Sequence, residues 1–221
     1  MTQVRILAGL LEPRTSSLDS DIQDRILVEL FGKMKFFIIH GSYGSPKENW
    51  FPWLKERLEE EGNNVFVPEF PTPNNQSLDN WMKVFDDFYS SEVGEDSIFI
   101  GHSLGPAFIL SILERLNIKV KACFFVSGFL GLLGNPEFDE VNKTFIAKEF
   151  DWERIRKNCE NFYVYHSDND PYVSLEKAKE LAEKLGTEVI IVKNAGHFNE
   201  SSGYLKFELL LKDIEIKCGK R

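Results

Sequence analysis

The chain has 221 residues, and its 35 acidic side chains outnumber its 26 basic ones, which gives a formal net charge of −9. A protein that binds a phosphate backbone needs a basic surface to displace counterions, so this charge argues against a nucleic-acid partner. Hydrophobic residues make up 43% of the chain and charged residues 28%, which excludes global disorder and suits a globular domain.

Residues 1–33 are predicted to be an N-terminal extension, helical or disordered, that precedes a single α/β domain at 34–217. Apolar residues at helical spacing over 22–31 favour a short helix there. The apolar stretch at 4–11 contains Arg5, so it is too short and too charged for a secretion signal or a membrane span. The three cysteines are widely spaced without a Cys-x-x-Cys pair, and we therefore expect a reduced, cytoplasmic protein.

From residue 34 onward, short apolar runs alternate with segments of helical periodicity, which predicts βα units around a parallel sheet. Six runs are predicted to be buried strands: 36–40, 65–68, 97–101, 122–127, 161–166 and 188–193. Five amphipathic helices are predicted beside them: 50–61, 78–91, 106–116, 175–185 and 204–216. Because crossovers are right-handed, we expect a three-layer α/β/α sandwich with its functional loops at the carboxyl ends of the strands.

Residues 128–159 break the alternation, and only a helix at 152–159 is predicted within them. The segment is too short for a lid domain. Its first apolar side chains either form a pocket wall or pack on the core: Phe129, Leu130, Leu132 and Leu133. The same alternative applies to the aromatic side chains that follow the first predicted strand: Trp50, Phe51 and Trp53.

Residues 101–105 read Gly-His-Ser-Leu-Gly and lie between the third predicted strand and the helix at 106–116. Gly-x-Ser-x-Gly in this context is typical of a nucleophile elbow, a strained turn that projects the serine hydroxyl. The flanking glycines let the strand and the helix approach closely. Ser103 is therefore predicted to be a catalytic nucleophile.

A serine hydroxyl needs a base within hydrogen-bond reach and a third group that orients the base. His197, the last of four histidines, follows the last predicted strand and is predicted to be the base. Asp170 follows the fifth predicted strand and is predicted to orient the imidazole. Asp168 is the alternative acid, although a turn-forming role suits it better. Of the remaining histidines, His102 is the variable residue of the elbow, His166 ends a strand, and His40 ends the first strand, where a backbone or loop-packing role suits it.

A developing oxyanion needs two backbone N–H donors. One is predicted to be the amide of Leu104, and the other to come from Ser42 or Tyr43 in the loop at 40–44. Alternatively, the glycines of that loop serve only to make a turn.

No cofactor is predicted, because such a triad supplies its own base and no phosphate-binding glycine motif is present. A metal site of His166, Asp168 and Asp170 lacks a second distant histidine and is disfavoured.

These features resemble the α/β-hydrolase superfamily and, within it, the retinoblastoma-binding protein 9 / YdeN-like family of small serine hydrolases with minimal lids. The resemblance spans about residues 35–216 and includes further matches: His40-Gly41, Pro71-Thr72-Pro73 followed by Trp81, Asp151-Trp152 with Ile155 and Cys159, and Asp170-Pro171 before Gly196-His197-Phe198. It implies that Ser103 is the nucleophile, Asp170 the acid and His197 the base. The segment before Met34 has no counterpart in that family.

The chain is thus predicted to be a carboxylesterase-like serine hydrolase that cleaves an ester, thioester or amide of a small soluble substrate through an acyl-serine intermediate. An acyltransferase or a carbon–carbon bond hydrolase would use the same residues. The alternative from another class is a catalytically weak or inactive protein of this fold that serves as a protein-binding module. Neither a nucleic acid nor a membrane is expected as a partner, and the sequence indicates no protein partner.

Overall fold

The structure is a computed structural model that describes residues 33–218. The extension and the short helix predicted within residues 1–33 therefore lie outside the described residues, except for Lys33. In chain order the elements are β1 (Lys35–Ile39), α1 (Phe51–Glu60), β2 (Asn64–Phe66), α2 (Leu78–Phe88), β3 (Ser97–His102), α3 (Gly105–Leu113), β4 (Val120–Val126), α4 (Pro136–Ile146), α5 (Trp152–Lys157), β5 (Cys159–Ser167), α6 (Leu175–Leu185), β6 (Val189–Val192) and α7 (Glu208–Cys218).

The six strands form one parallel sheet in the order β2-β1-β3-β4-β5-β6, which confirms the predicted α/β class. Neighbouring residues of a strand alternate between two cores. Phe36 packs with α1 and α7 on one face of the sheet, whereas Phe37 packs with the helices on the other. The strands are therefore apolar throughout because both faces are covered. No helix within residues 33–218 has the length and apolar character needed to cross a membrane.

The helix predicted at 204–216 begins later than expected, at Glu208. A short 3-10 turn at Glu200–Ser202 precedes it, and Gly203 then adopts a positive φ of 83°. Tyr204 packs edge-on against Phe207 with ring centroids 5.4 Å apart. The backbone turn delays the helix although the apolar periodicity starts at Tyr204. The helix predicted at 152–159 likewise ends early, at Lys157, and Cys159 opens β5.

The segment at 128–159 contains a helix that was not predicted, α4. The Asn135 side chain caps it by accepting hydrogen bonds from the amides of Glu137 and Phe138, at 3.1 and 3.4 Å, and Pro136 occupies its first turn. The cap and the proline were the sequence signals for this helix. The four apolar side chains at the start of the segment divide: Phe129 and Leu130 are in the core, Leu133 packs against it, and Leu132 is 59% exposed.

The aromatic residues at the start of α1 belong to the core rather than to a pocket. Trp50 and Phe51 are fully buried, and Trp53 packs against the same cluster. The indole N–H of Trp50 donates to the carbonyl of Phe198 at 3.0 Å. This bond ties α1 to the loop that carries His197.

Candidate active site

The predicted site residues lie in loops that leave the carboxyl ends of β1, β3, β5 and β6. Because parallel strands end at the same edge of a sheet, these loops meet there. Ile39 and Gly101 are register partners in β1 and β3, so the loop at 40–44 lies beside the turn that contains Ser103. A Cβ placed on Gly41 would lie 2.7 Å from Ser103 Cβ and 3.1 Å from its Oγ.

Ser103 occupies a strained turn between β3 and α3. Its φ is 58°, a left-handed value that costs a serine on the order of 1–3 kcal/mol. Its amide donates to the carbonyl of Val126 in β4 at 2.9 Å. A Cβ on Gly105 would approach the Ile39 carbonyl oxygen to 2.5 Å, and one on Gly101 would approach Pro106 N to 2.7 Å. Both flanking glycines are therefore required by the close approach of the strand and the helix.

His197 and Asp170 are hydrogen-bonded, with 2.8 Å between His197 Nδ1 and Asp170 Oδ2. The same Oδ2 accepts from Ser127 Oγ at 2.8 Å, and Oδ1 accepts from the amides of Tyr172 and Val173 at 2.9 and 3.1 Å. Burial acts to raise the pKa of Asp170, but its bonds to His197 and to the two amides outweigh burial and lower the pKa below its usual 3.8. The carboxylate is therefore ionised at neutral pH and holds the proton of His197 on Nδ1.

Asp168, the alternative acid, does not contact His197. Its Oδ1 accepts the amide of Asn194 at 2.8 Å and so fixes the loop before His197.

His166 donates from Nε2 to the carbonyl of Val173 at 2.9 Å, and this nitrogen lies 4.0 Å from Asp170 Oδ2. Burial lowers the pKa of His166. Within residues 33–218, no group of three or more His, Cys, Asp or Glu side chains is arranged to hold a metal ion.

Sequence reasoning missed the role of Ser127. This residue follows β4 with a positive φ of 49°, and its hydroxyl donates to the Asp170 oxygen that also accepts from His197. Its position at the carboxyl end of a predicted strand was the only signal in the sequence. Ser127 therefore belongs with the residues that position the Asp170 carboxylate.

His102, assigned in the sequence only to the variable position of the elbow, contacts His197 directly. Its Nε2 lies 2.8 Å from the His197 carbonyl oxygen, and the two rings are 4.8 Å apart. Burial lowers the pKa of His102 to about 3, so the imidazole is neutral and Nε2–H donates this bond. His102 thereby connects the elbow to the loop that carries His197.

His40 fixes the loop at 40–44. The amide of Phe70 donates to His40 Nε2 at 3.1 Å, so the proton of the ring resides on Nδ1, which donates to the Gly41 carbonyl at 2.7 Å. Burial lowers the pKa of His40 and keeps the ring neutral. The ring also packs edge-on against Trp81, 5.2 Å away.

The two alternatives for the second oxyanion donor differ in this structure. The amide of Tyr43 donates to Thr72 Oγ1 at 2.6 Å and is therefore occupied. For the amides of Ser42 and Leu104, the described part of the chain offers no hydrogen-bond acceptor. The arrangement favours Ser42 over Tyr43 as the partner of Leu104.

A chain of polar side chains, here called the loop clamp, holds Ser42 and Tyr43. The clamp comprises Ser42, Thr72, Gln76 and Asn142. Thr72 Oγ1 donates to Gln76 Oε1 at 2.5 Å, and Gln76 Nε2 donates to Ser42 Oγ at 3.0 Å and to Asn142 Oδ1 at 2.8 Å. Ser42 Oγ closes the chain by donating to Asn142 Oδ1. Asn142 is buried in α4, so the unpredicted helix supports the loop beside Ser103.

Ser103 Oγ itself is not joined to His197. Among residues 33–218 no hydrogen bond is made by this hydroxyl, which lies beside Gly41. Catalytic hydrogen bonds are often long without substrate and tighten in the complex, so the gap is compatible with a base at this position.

Comparison with known proteins extends over the same part of the chain. A family model described as serine hydrolase matches residues 36–215. YdeN of Bacillus subtilis (strain 168), named as a hydrolase, is 30% identical over 176 residues, which cover 79% of this chain and 90% of YdeN. Serine hydrolase RBBP9 of Rattus norvegicus is 25% identical over 172 residues, 76% of this chain and 88% of RBBP9. The crystal structure of the ydeN gene product superposes with a TM-score of 0.78, covering 85% of this chain and 100% of that one.

Proposed function

Because the chain belongs to the serine hydrolase family, in its YdeN- and RBBP9-like branch of the α/β-hydrolases, we propose that it cleaves a carboxylic ester, thioester or amide through an acyl-enzyme on Ser103. The observation that carries the proposal is the hydrogen-bonded His197–Asp170 pair at the sheet edge where the strained turn presents Ser103. The sequence resemblance to this family is confirmed by the matches. The assignment of the three residues to a triad is part of the proposal.

In the first step, Ser103 turns its hydroxyl toward His197 and attacks the substrate carbonyl. The proton moves from Oγ to His197 Nε2, which is the unprotonated nitrogen because Nδ1 holds its proton against Asp170. The ionised Asp170 stabilises the resulting imidazolium through the same bond. Its lowered pKa suits this role, because a protonated carboxyl group would supply no negative charge.

The amides of Ser42 and Leu104 are proposed to bind the oxyanion of the tetrahedral intermediate. The imidazolium of His197 then donates its proton to the leaving group as the C–O, C–S or C–N bond breaks. A water molecule, deprotonated by His197, attacks the acyl-enzyme and releases the acid. Each proton that leaves Ser103 or water thus passes through Nε2 of one histidine.

We further propose that the enzyme acts in the reducing cytoplasm on small substrates. All three thiols are free and buried, which is the usual state of cysteine in a reducing compartment: Cys123, Cys159 and Cys218. The chain between β4 and β5 forms two short helices, α4 and α5, rather than a separate lid domain. A small polar or moderately apolar ester therefore suits the site better than a lipid aggregate.

Labelling with a fluorophosphonate probe, read by intact mass, tests the nucleophile directly. We expect one adduct on the wild type, none on Ser103→Ala, and strongly slowed labelling of His197→Ala. Hydrolysis of p-nitrophenyl acetate should show the same order. Ser45→Ala is the matched control, because Ser45 is a half-buried serine in the loop before α1 whose hydroxyl accepts the amide of Lys47.

A folded wild type that neither labels nor hydrolyses short esters would contradict the proposal and favour the protein-binding alternative. Labelling that persists in Ser103→Ala would place the nucleophile elsewhere. Transfer of the acyl group to an added alcohol or amine in preference to water would identify an acyltransferase, so product analysis accompanies the rate measurement.

A further inference from the structure

Three aromatic side chains form a continuous row across the candidate site, here called the aromatic wall: Tyr43, Phe138 and Tyr172. The rings of Tyr43 and Phe138 meet edge-on, with centroids 5.5 Å apart. Phe138 and Tyr172 are nearly parallel at 6.4 Å, and Tyr172 meets the imidazole of His197 edge-on at 5.1 Å. The row therefore extends from the loop beside Ser103 to the proposed base.

The wall differs in its exposure from the aromatic cluster of the core around Phe37. The core rings of Phe37, Phe99 and Phe108 are fully buried, whereas Tyr43 is 41% exposed, Tyr172 is 53% exposed and Phe138 is half-buried. Exposed rings that lie in contact with one another beside a reactive centre are the usual composition of a ligand-binding surface. The wall offers ring faces and edges but no charge.

The backbone amides of Tyr43 and Tyr172 are each bonded to a part of the site. The amide of Tyr43 donates to Thr72 of the loop clamp, and the amide of Tyr172 donates to Asp170 Oδ1. Phe138 lies in α4, whose first turn is capped by Asn135 and whose Asn142 belongs to the clamp. The residues that orient the proposed catalytic groups thus also position the wall.

We propose that the wall is a substrate subsite that takes an uncharged, planar aromatic ring attached near the scissile carbonyl. The inference rests on the proposed hydrolase activity and adds the substrate class. A planar ring packs edge-to-face or offset-stacked on such side chains, and these geometries favour it over a saturated ring of equal size. The ring belongs either to the acyl group or to the leaving group, since the wall extends between the oxyanion loop and the base that protonates the leaving atom.

Two matched pairs of esters test the subsite and show whether the aromatic ring belongs to the acyl group or to the leaving group. Ethyl phenylacetate and ethyl cyclohexylacetate differ only in the acyl ring, and benzyl acetate and cyclohexylmethyl acetate differ only in the alcohol ring. Each kcat/KM is divided by the rate of alkaline hydrolysis of the same ester. In at least one pair we expect the aromatic member to be favoured by about 3- to 10-fold.

Tyr172→Leu and Phe138→Leu should bring that ratio down to about 1. The ratio is insensitive to the fraction of enzyme that is folded, so a loss of stability does not imitate the result. Phe88→Leu is the control, because Phe88 is an exposed aromatic residue at the end of α2. It should leave the ratio unchanged.

Equal normalised kcat/KM values within both pairs would overturn the subsite. So would a preference for the aromatic ester that persists in both leucine variants. Labelling of Ser103 by fluorophosphonate is measured on the same preparation. If Ser103 labels and the ratios are near 1, only the aromatic subsite is wrong. If Ser103 does not label and no ester is cleaved, the proposed function itself fails.

Discussion

The two halves of the candidate site use their polar groups differently. In the half that contains Asp170 and His197, both carboxylate oxygens accept hydrogen bonds, from two side chains and two amides. In the half that contains Ser103, the serine hydroxyl and the amides of Ser42 and Leu104 find no partner among residues 33–218. The first half is thereby fixed in orientation, whereas the second keeps its donors available for a substrate.

The half that contains Ser103 is supported by the loop clamp, whose side chains lie behind the backbone amides rather than at the reacting centre. Within the loop clamp, Gln76 bonds to the hydroxyl of Ser42 and Thr72 accepts the amide of Tyr43, whereas the amide of Ser42 is unbonded within the described residues. Preorganised donors stabilise an oxyanion because they need not reorganise during the reaction. The comparison predicts graded effects when either half is altered.

The largest effect is expected from Asp170→Asn. An amide in place of the carboxylate removes the charge that faces His197 and favours the wrong tautomer of the imidazole. We expect kcat for p-nitrophenyl acetate to fall by about 10³- to 10⁴-fold. Asp168→Asn is the matched control, since an asparagine oxygen still accepts the amide of Asn194. Equal losses in the two variants would contradict the assignment of Asp170.

The next largest effect is expected from Gly41→Ala. The added methyl group would lie 2.7 Å from Ser103 Cβ and 3.3 Å from the His102 carbonyl oxygen, so the nucleophile or the loop must shift. A displacement of this size in a catalytic group costs about 10²-fold in kcat/KM. Gly94→Ala is the control, because its methyl group would lie 2.5 Å from Asp96 Oδ1, the end of a side chain, and no closer than 4.0 Å to backbone. Unchanged labelling rates would show that the two loops are not in contact.

A smaller effect is expected from Ser42→Ala, which removes the clamp hydroxyl but keeps the backbone amide. We expect kcat to fall by about 10-fold with little change in KM, less than the 10²- to 10³-fold that loss of an oxyanion donor costs. Ser45→Ala controls for a serine in the same loop that is outside the clamp. A rise in KM alone would indicate that the clamp shapes the binding surface rather than the donors.

The smallest effect near neutral pH is expected from replacing His102, and it concerns stability. It increases as the pH falls. The pKa of His102 is about 3 in the folded protein against an ordinary 6.5, because burial disfavours the charged ring. Its contribution to stability is complete above pH 6.5 and declines as the pH falls toward 3, because only the unfolded chain binds the proton.

Denaturant titrations at several pH values measure how His102 contributes to the pH dependence of the unfolding free energy. In His102→Gln, which keeps a donor toward the His197 carbonyl, we expect the fall in unfolding free energy between about pH 6 and pH 4 to be shallower by about 1.4 kcal/mol per pH unit. The value corresponds to one proton. His40 and His166 retain their own lowered pKa values and leave a residual slope in the variant. An unchanged slope would mean that His102 is protonated in the folded protein.

Much of the fold was predictable because strands buried on both faces and amphipathic helices carry strong local periodicity. All six strands occur within a few residues of their predicted positions. Ser103, Asp170 and His197 were assigned from a local motif and from chain order, and the structure brings their loops to one edge of the sheet.

The unpredicted features depend on contacts between residues that are distant in sequence. Ser127 and Asp170 are 43 positions apart, Gln76 and Asn142 are 66 apart, and His102 and His197 are 95 apart. Such pairs leave no periodic signal in a single sequence. Helix α4 is different, since Asn135 and Pro136 did mark its start, but the glycines before them favoured a loop.

The backbone bond that fixes Ser103 also bears on how the protein is made. The strained turn is held by the carbonyl of Val126, which the ribosome adds later, and the proposed acid and base follow only at positions 170 and 197. During synthesis from the N-terminus, the proposed nucleophile therefore exists well before its turn is locked and long before the proposed base. We therefore expect a nascent or prematurely terminated chain to be inert toward esters and the proposed activity to coincide with completion of the sheet.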